Sequence, residues 1–235
     1  MDNFFATSIC FGTASSFVRL GFDRCYLLKS DGVIAVDAGA PGQGRKFKRG
    51  LERASVDPHD VRLVVITHGH WDHVGSAKEI KNLTGAKLAL HRLEADCLER
   101  SMKLLPTGVT PWGRVFGALH KLFVPLITIA PAKVDVLLGE EELSLADFGI
   151  PGRVFHTPGH TAGSVSVLLD GGEAFVGDLA MNRFPLRFSP GLPIFADDPL
   201  AVSRSWRRLL DNGATTIYPA HGKPFPADVI RRALS

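Results

Sequence analysis

The sequence predicts a layered α/β sandwich. Short apolar runs alternate with stretches of helical composition, and several of those runs end in histidine or aspartate. A strand–helix–strand–helix order points to stacked layers rather than a helical bundle. The first third is β-rich. Residues 25–29 and Val33–Val36 are apolar runs separated by Ser30-Asp31-Gly32, the composition of a hairpin turn. Asp37-Ala38-Gly39 follows, then a basic helix at 45–54, whose cations form a solvated face. Residues 62–66 form a strand of buried type that ends in Thr67-His68-Gly69-His70. A helix at 75–83, a strand at 87–90 and a helix at 92–103 complete the first half.

The second half repeats this style. A strand at 153–155 leads into Thr157-Pro158-Gly159-His160, and strands at 164–169 and 174–176 flank Asp170-Gly171-Gly172. A helix at Pro199–Asp211, a strand at 215–218 and a helix at 227–233 close the chain. Asp37, His68 to His73, His160, Asp178 and His221 all follow strand ends. In a layered α/β fold, strand ends gather distant residues into one cleft.

Composition narrows the function classes. The 235 residues are 45% hydrophobic and 22% charged, ordinary values for one globular domain over 1–235. A net charge of +3 is too small to select nucleic acid or a membrane, so a small-molecule substrate is expected. The most apolar segment, 115–130, contains His120, Lys121 and Pro125 and is too short to span a bilayer. Met1 to Phe5 has no basic run ahead of an apolar one, and the cytoplasm is the expected location. Cys10, Cys25 and Cys97 are scattered and odd in number, which suggests neither a disulfide framework nor a cysteine zinc site.

The strongest feature is His68-Gly69-His70-Trp71-Asp72-His73. Imidazole nitrogen and carboxylate oxygen are the donors that zinc, iron and manganese accept. A tight loop can aim alternate side chains at one ion and the intervening ones at a second. The spacing differs from that of zinc-protease helices, where two histidines sit four apart around a glutamate. A two-metal site needs further donors, and His160, Asp178 and His221 are the candidates.

These motifs resemble the metallo-β-lactamase superfamily, in particular its glyoxalase-II-like hydrolases. Thr67-His68-x-His70-x-Asp72-His73, Thr-Pro-Gly-His at 157–160, Gly177-Asp178 and Ala220-His221-Gly222 match in order across nearly the whole chain. The resemblance implies a four-layer αββα sandwich with the site at one edge between two sheets. It implies that His68, His70 and His160 hold one metal, that Asp72, His73 and His221 hold another, and that Asp178 bridges both. It also suggests that Asp37 supports the metal loop, as carboxylates behind metal-bound histidines do. Asp178 stands where many β-lactamases carry cysteine or serine. Met181 stands where acyl-homoserine lactonases place tyrosine. Both departures lead away from those substrates.

Such a site makes a hydroxide available between two divalent ions, most naturally zinc, with iron or manganese as alternatives. Asp72 and Asp178 are the catalytic candidates, Asp72 as a proton shuttle after attack and Asp178 as the carboxylate that fixes the metal separation. The expected reaction is hydrolysis of a small ester, thioester or lactone. Phosphodiester hydrolysis and a mononuclear iron oxygenase are the alternatives. Substrate choice is expected in 100–133, a lid or a homodimer contact, and in 181–199, where Phe184, Pro185, Leu186, Phe188, Leu192 and Phe195 accompany Arg183 and Arg187. His156 reads as a core or supporting histidine. His59, His91 and His120 read as surface or packing residues.

Overall fold

Two mixed β-sheets stack face to face in the computed structural model, which describes residues 4–10, 12–182, 187 and 189–235. The first sheet runs in chain order: β1 (Phe4–Cys10), β2 (Thr13–Arg19), β3 (Arg24–Lys29), β4 (Val33–Val36), β5 (Val61–Val65), β6 (Lys87–His91) and β7 (Val136–Leu138). β1 to β4 pair antiparallel, whereas β4 to β7 pair parallel. Parallel neighbours need long crossovers. Here those crossovers carry α1 (Gly44–Arg53), α2 (Trp71–Val74), α3 (Ala77–Thr84), α4 (Ala95–Glu99) and α5 (Pro111–Phe123).

The second sheet contains β8 (Leu143–Ser144), β9 (Gly152–His156), β10 (Val165–Leu169), β11 (Glu173–Gly177), β12 (Thr216–Pro219) and β13 (Phe225–Pro226). β11 and β12 pair parallel across α6 (Pro199–Asp211). α7 (Asp228–Ala233) follows the last strand.

The layers follow from the two-residue period of a strand. In β4, Val33 and Ala35 pack with Phe47, Leu51 and Ile80 of α1 and α3. The alternate residues Ile34 and Val36 join Leu63, Val65, Val154, Val167 and Phe175 between the sheets. Leu168, Ala174 and Ile217 face Trp206 and Leu209 of α6 and Ile230 of α7. Three apolar seams therefore separate four layers, and the αββα order expected from the resemblance is the one observed. Strands buried on both faces need continuous apolar runs, which explains why the unbroken run after Arg62 is a strand.

Three features differ from the sequence reading. The helix expected at 92–103 is a single 3₁₀ turn (Arg92–Glu94) followed by α4, and the chain leaves the helix at Ser101, whose φ is +56°. Segment 100–133 contains α5, started by the Thr110 hydroxyl accepting from the Gly113 N–H (2.9 Å) with Pro111 in the first turn. β7, β8 and β13 are two or three residues long, too short to leave a periodic signal.

Phe175 is fully buried between the sheets, 5.0 Å from the Tyr26 ring and 4.6 Å from the Tyr218 ring. Phe175→Ala should lower unfolding free energy by about 3–5 kcal/mol, read as a reduced midpoint in urea.

Candidate metal centre

All the predicted site residues follow the C-terminal ends of strands, and sheet stacking brings those ends to one edge. Asp37 follows β4. His68 to His73 follow β5 and run into α2. His160, Asp178 and His221 follow β9, β11 and β12. Two turns require glycine there. Gly159 has φ +136°, and a Cβ would meet the Val202 nitrogen at 2.3 Å. Gly177 has φ +53°, and a Cβ would meet Thr67 Oγ1 at 2.4 Å.

Most of the imidazoles are held from behind. Thr67 Oγ1 donates to Asp37 Oδ1 (2.8 Å) and so accepts from His68 Nδ1 (3.1 Å). His73 Nδ1 donates to Asp37 Oδ2 (3.0 Å). His160 Nδ1 donates to the Phe195 carbonyl (2.9 Å) and His221 Nδ1 to that of Phe22 (3.2 Å). With Nδ1 engaged from behind, each of these four rings turns its Nε2 to the centre, and in its neutral form presents a lone pair there.

Those lone pairs converge as two donor sets. His68 Nε2, His70 Nδ1 and His160 Nε2 form a triangle with sides of 3.0, 3.0 and 3.1 Å. The outward hydrogen bonds of His68 and His160 leave two lone pairs facing each other, a repulsive arrangement that a cation resolves. The second set is Asp72, His73 and His221. His221 Nε2 lies 3.4 Å from both Asp72 Oδ2 and Asp178 Oδ2. Asp178 stands between the sets: Oδ2 is 3.8 Å from His160 Nε2, and Oδ1 is 3.6 Å from His73 Nε2. Donors about 2.1 Å from a tetrahedral zinc lie about 3.4 Å apart, close to the second-set spacings. His73 Nε2 and Asp178 Oδ1 are buried without a hydrogen-bond partner among the described residues. Orphaned buried donors of this kind call for an ion.

The two sets differ electrostatically. Burial and the neighbouring imidazoles hold His68 well below the ordinary histidine range, His70 at about 3 and His160 at about 4. Burial also pushes His73 and His221 down, but carboxylates outweigh it. Asp37 and Asp178 raise His73, and Asp178 and Asp72 raise His221 to about 9. Burial alone would raise Asp72, yet its His221 hydrogen bond and His73 pull it well below the carboxylate range. The first set therefore offers three neutral imidazoles, and the second is rich in negative charge.

A metallo-beta-lactamase superfamily sequence model matches residues 18–221. The chain belongs to this superfamily. Its members are metal-dependent hydrolases. The chain is 29% identical over 171 residues to the Drosophila melanogaster Beta-lactamase-like protein 2 homolog, covering 73% of this chain and 46% of that protein. It is 26% identical over 141 residues to Probable metallo-hydrolase YqgX of Bacillus subtilis, covering 60% and 57%. It thus spans about half the length of these two curated relatives. The metallo-beta-lactamase family protein TTHA1429 from Thermus thermophilus shares the fold, with TM-score 0.64 and 24% identity over 94% of this chain and 77% of that one.

Against this superfamily framework, the structure adds residues that the motifs did not reveal. Glu94 is buried, accepting from the Gly69 N–H with Oε2 and from the Gly163 N–H with Oε1 (2.8 Å). It clamps the His68–His70 loop to the loop after His160. Asp23 is fully buried beside the second set, its carboxyl raised by desolvation. His120, read as a surface or packing residue, lines a cavity of about 420 Å³ over the centre. Phe22, Trp71, Phe116, Leu119, Phe123 and Phe195 supply most of the other walls, and His70, Asp72, Asp178 and His221 line it from the donor sets. Arg183, Phe184, Pro185, Leu186 and Phe188 lie outside the described residues.

A further donor group, His91, Glu140 and His156, lies apart from the cavity lining. The two rings stack at 4.3 Å with 14° between planes, so their lone pairs run parallel and do not converge. His156 bonds Glu140 Oε2 (2.6 Å) and the Ala162 carbonyl (2.8 Å), a supporting role as expected. His59 is exposed and His91 is fully buried against His156, the surface and packing places expected of them.

Gly177→Ala should displace Thr67 and with it the hydrogen bonds to Asp37 and His68. The expected outcome is a loss of about 1–3 kcal/mol in stability, measured by urea unfolding, with far-UV circular dichroism retained.

Proposed function

We propose that this chain is a dinuclear metal-dependent hydrolase of a small ester, thioester or lactone bearing an apolar acyl or aryl group. The observation that carries this reading is the pair of donor sets on either side of Asp178, one of three imidazole nitrogens and one of two imidazoles and a carboxylate, with His73 Nε2 and Asp178 Oδ1 lacking a hydrogen-bond partner among the described residues. In this reading His68, His70 and His160 hold one ion, Asp72, His73 and His221 hold the other, and Asp178 serves both. Zinc fits best, and iron or manganese would accept the same donors. When bound, such ions supply a water deprotonated near neutral pH and an electrophile for a carbonyl oxygen.

The protein's own groups do the rest. Asp178, standing between the two sets, would offset the repulsion of two bound cations. Asp72 lines the cavity, so its carboxylate would be placed to take a proton on attack and pass it to the leaving atom. The apolar walls exclude water, which strengthens the electrostatic interactions inside. Among the described lining residues there is no lysine or arginine to pair with a phosphate. That supports a carbonyl substrate over a phosphodiester. A mononuclear iron site of two histidines and one carboxylate would leave the rest of these donors without a role.

The decisive experiment combines metal analysis of protein purified without added metal with a panel of ester, thioester, lactone, β-lactam and phosphodiester substrates. Two metals per chain and carbonyl hydrolysis are expected; one iron per chain with oxygen consumption would overturn the reading. Asp178→Ala should reduce metal content and lower turnover at least ~100-fold, with circular dichroism near wild type. Phe116→Ala should lower kcat/KM about tenfold for a bulky apolar acyl ester and leave an acetyl ester almost unchanged.

A further inference from the structure

We propose that the outer face of α5 docks on an anionic lipid surface. The helix has the reverse of a core helix's polarity. Its backing face carries Gly113 and Gly117, both buried, and a Cβ at Gly113 would meet the Ile194 carbonyl oxygen at 2.2 Å. Between that face and the cavity side, where Phe116 and Phe123 lie, four large apolar residues are left outward: Trp112, Val115, Leu119 and Leu122 are 49, 53, 48 and 73% exposed, and Leu126, just beyond, is 81% exposed. Helical spacing puts the first four on one face. An exposed apolar patch of this kind marks an interaction surface.

The charge pattern identifies the partner. Segment 100–133 carries Arg100, Lys103, Arg114, Lys121 and Lys133 and no aspartate or glutamate. Arg114 and Lys121 are exposed and lie seven residues apart, about 100° round the helix from Val115 and Leu122. The whole-chain charge of +3 conceals this local excess. A second copy meeting this face across a two-fold axis would oppose cation to cation, with no carboxylate from the segment to relieve them. An anionic bilayer gains from Arg114 and Lys121 and buries the apolar stripe. No helix among the described residues is long and apolar enough to cross a membrane, so the contact is one of surface docking.

Leu119 belongs both to the exposed stripe and to the cavity wall, so the cavity meets the docking face. Taken with the hydrolase reading above, the acyl chain of a bilayer amphiphile could enter without crossing water. Docking itself stands without that reading.

The test is cosedimentation of the chain with phosphatidylcholine vesicles and with vesicles of equal parts phosphatidylcholine and phosphatidylglycerol, at low and high salt. Binding to the mixed vesicles is expected, at least about tenfold tighter than to phosphatidylcholine alone and weakened by salt. Leu122→Glu combined with Leu126→Glu should abolish it. Arg114→Gln and Lys121→Gln should each weaken it about fivefold. None of these residues lines the cavity, so hydrolysis of a water-soluble short-chain ester should be unchanged. Absence of binding to the mixed vesicles, or equal binding to both compositions, would overturn the proposal. So would a dimer in sedimentation equilibrium that the glutamate variants dissociate.

Discussion

The Asp37 carboxylate is where the sheets and the donor sets are joined. Its backbone sits at φ +67°, a left-handed conformation that aspartate tolerates better than most residues. From there Oδ1 accepts from the Thr67 N–H and hydroxyl, both at 2.8 Å, and Oδ2 accepts from His73. Burying a carboxylate costs several kcal/mol unless such bonds offset it. The position is therefore fixed by the need to satisfy both oxygens. Thr67 in turn packs against Gly177, whose successor is Asp178. One buried charge thus sets the orientation of His68 and His73 and the approach of the second sheet's bridging candidate.

That approach also explains the asymmetry of the two donor sets. Carboxylates surround His73 and His221, while His68, His70 and His160 face mainly one another. Left to themselves, the first three stay neutral and the other two take up protons. Protons on the second set do there what cations would do: they neutralise Asp72 and Asp178. Ion binding must displace them, so affinity at that set should weaken as pH falls.

The residues that cluster at the strand ends were legible in the sequence because the spacing of the first four is local and their chemistry is specific. Three histidines and an aspartate within six residues need no tertiary information. His160, Asp178 and His221 were legible because each follows a strand signal. Asp37 could be assigned a supporting role for the same reason. Glu94 could not. It lies on a surface-like helical segment, and only the fold brings its carboxylate against Gly69 and Gly163. His120 was missed because a single histidine among apolar residues carries no period; it gains meaning only when α5 is laid over the strand ends. The sandwich was legible through buried strands such as Val33–Val36, whose alternate residues face different seams. The helix expected at 92–103 failed at Ser101, where the backbone turns left-handed without a glycine or proline to announce it.

The division of labour between strand ends and insertions bears on how the cavity wall communicates with the metal candidates. The donors sit on strand ends locked by sheet hydrogen bonds. Much of the wall comes from 100–133 and the loop before α6, which brace each other through the Gly108–Phe195 bridge and the Val109 N–H to Ile194 carbonyl bond (3.0 Å). Phe195 lies on both sides of this boundary. Its ring lines the cavity, and its carbonyl fixes the Nδ1 proton of His160. A substrate that shifts this loop would loosen the bond that keeps His160 Nε2 aimed at the centre. Side-chain changes at Phe116 or Leu119 can reshape the cavity without touching a donor. Backbone movement at Phe195 cannot, because the same peptide group serves the wall and the centre.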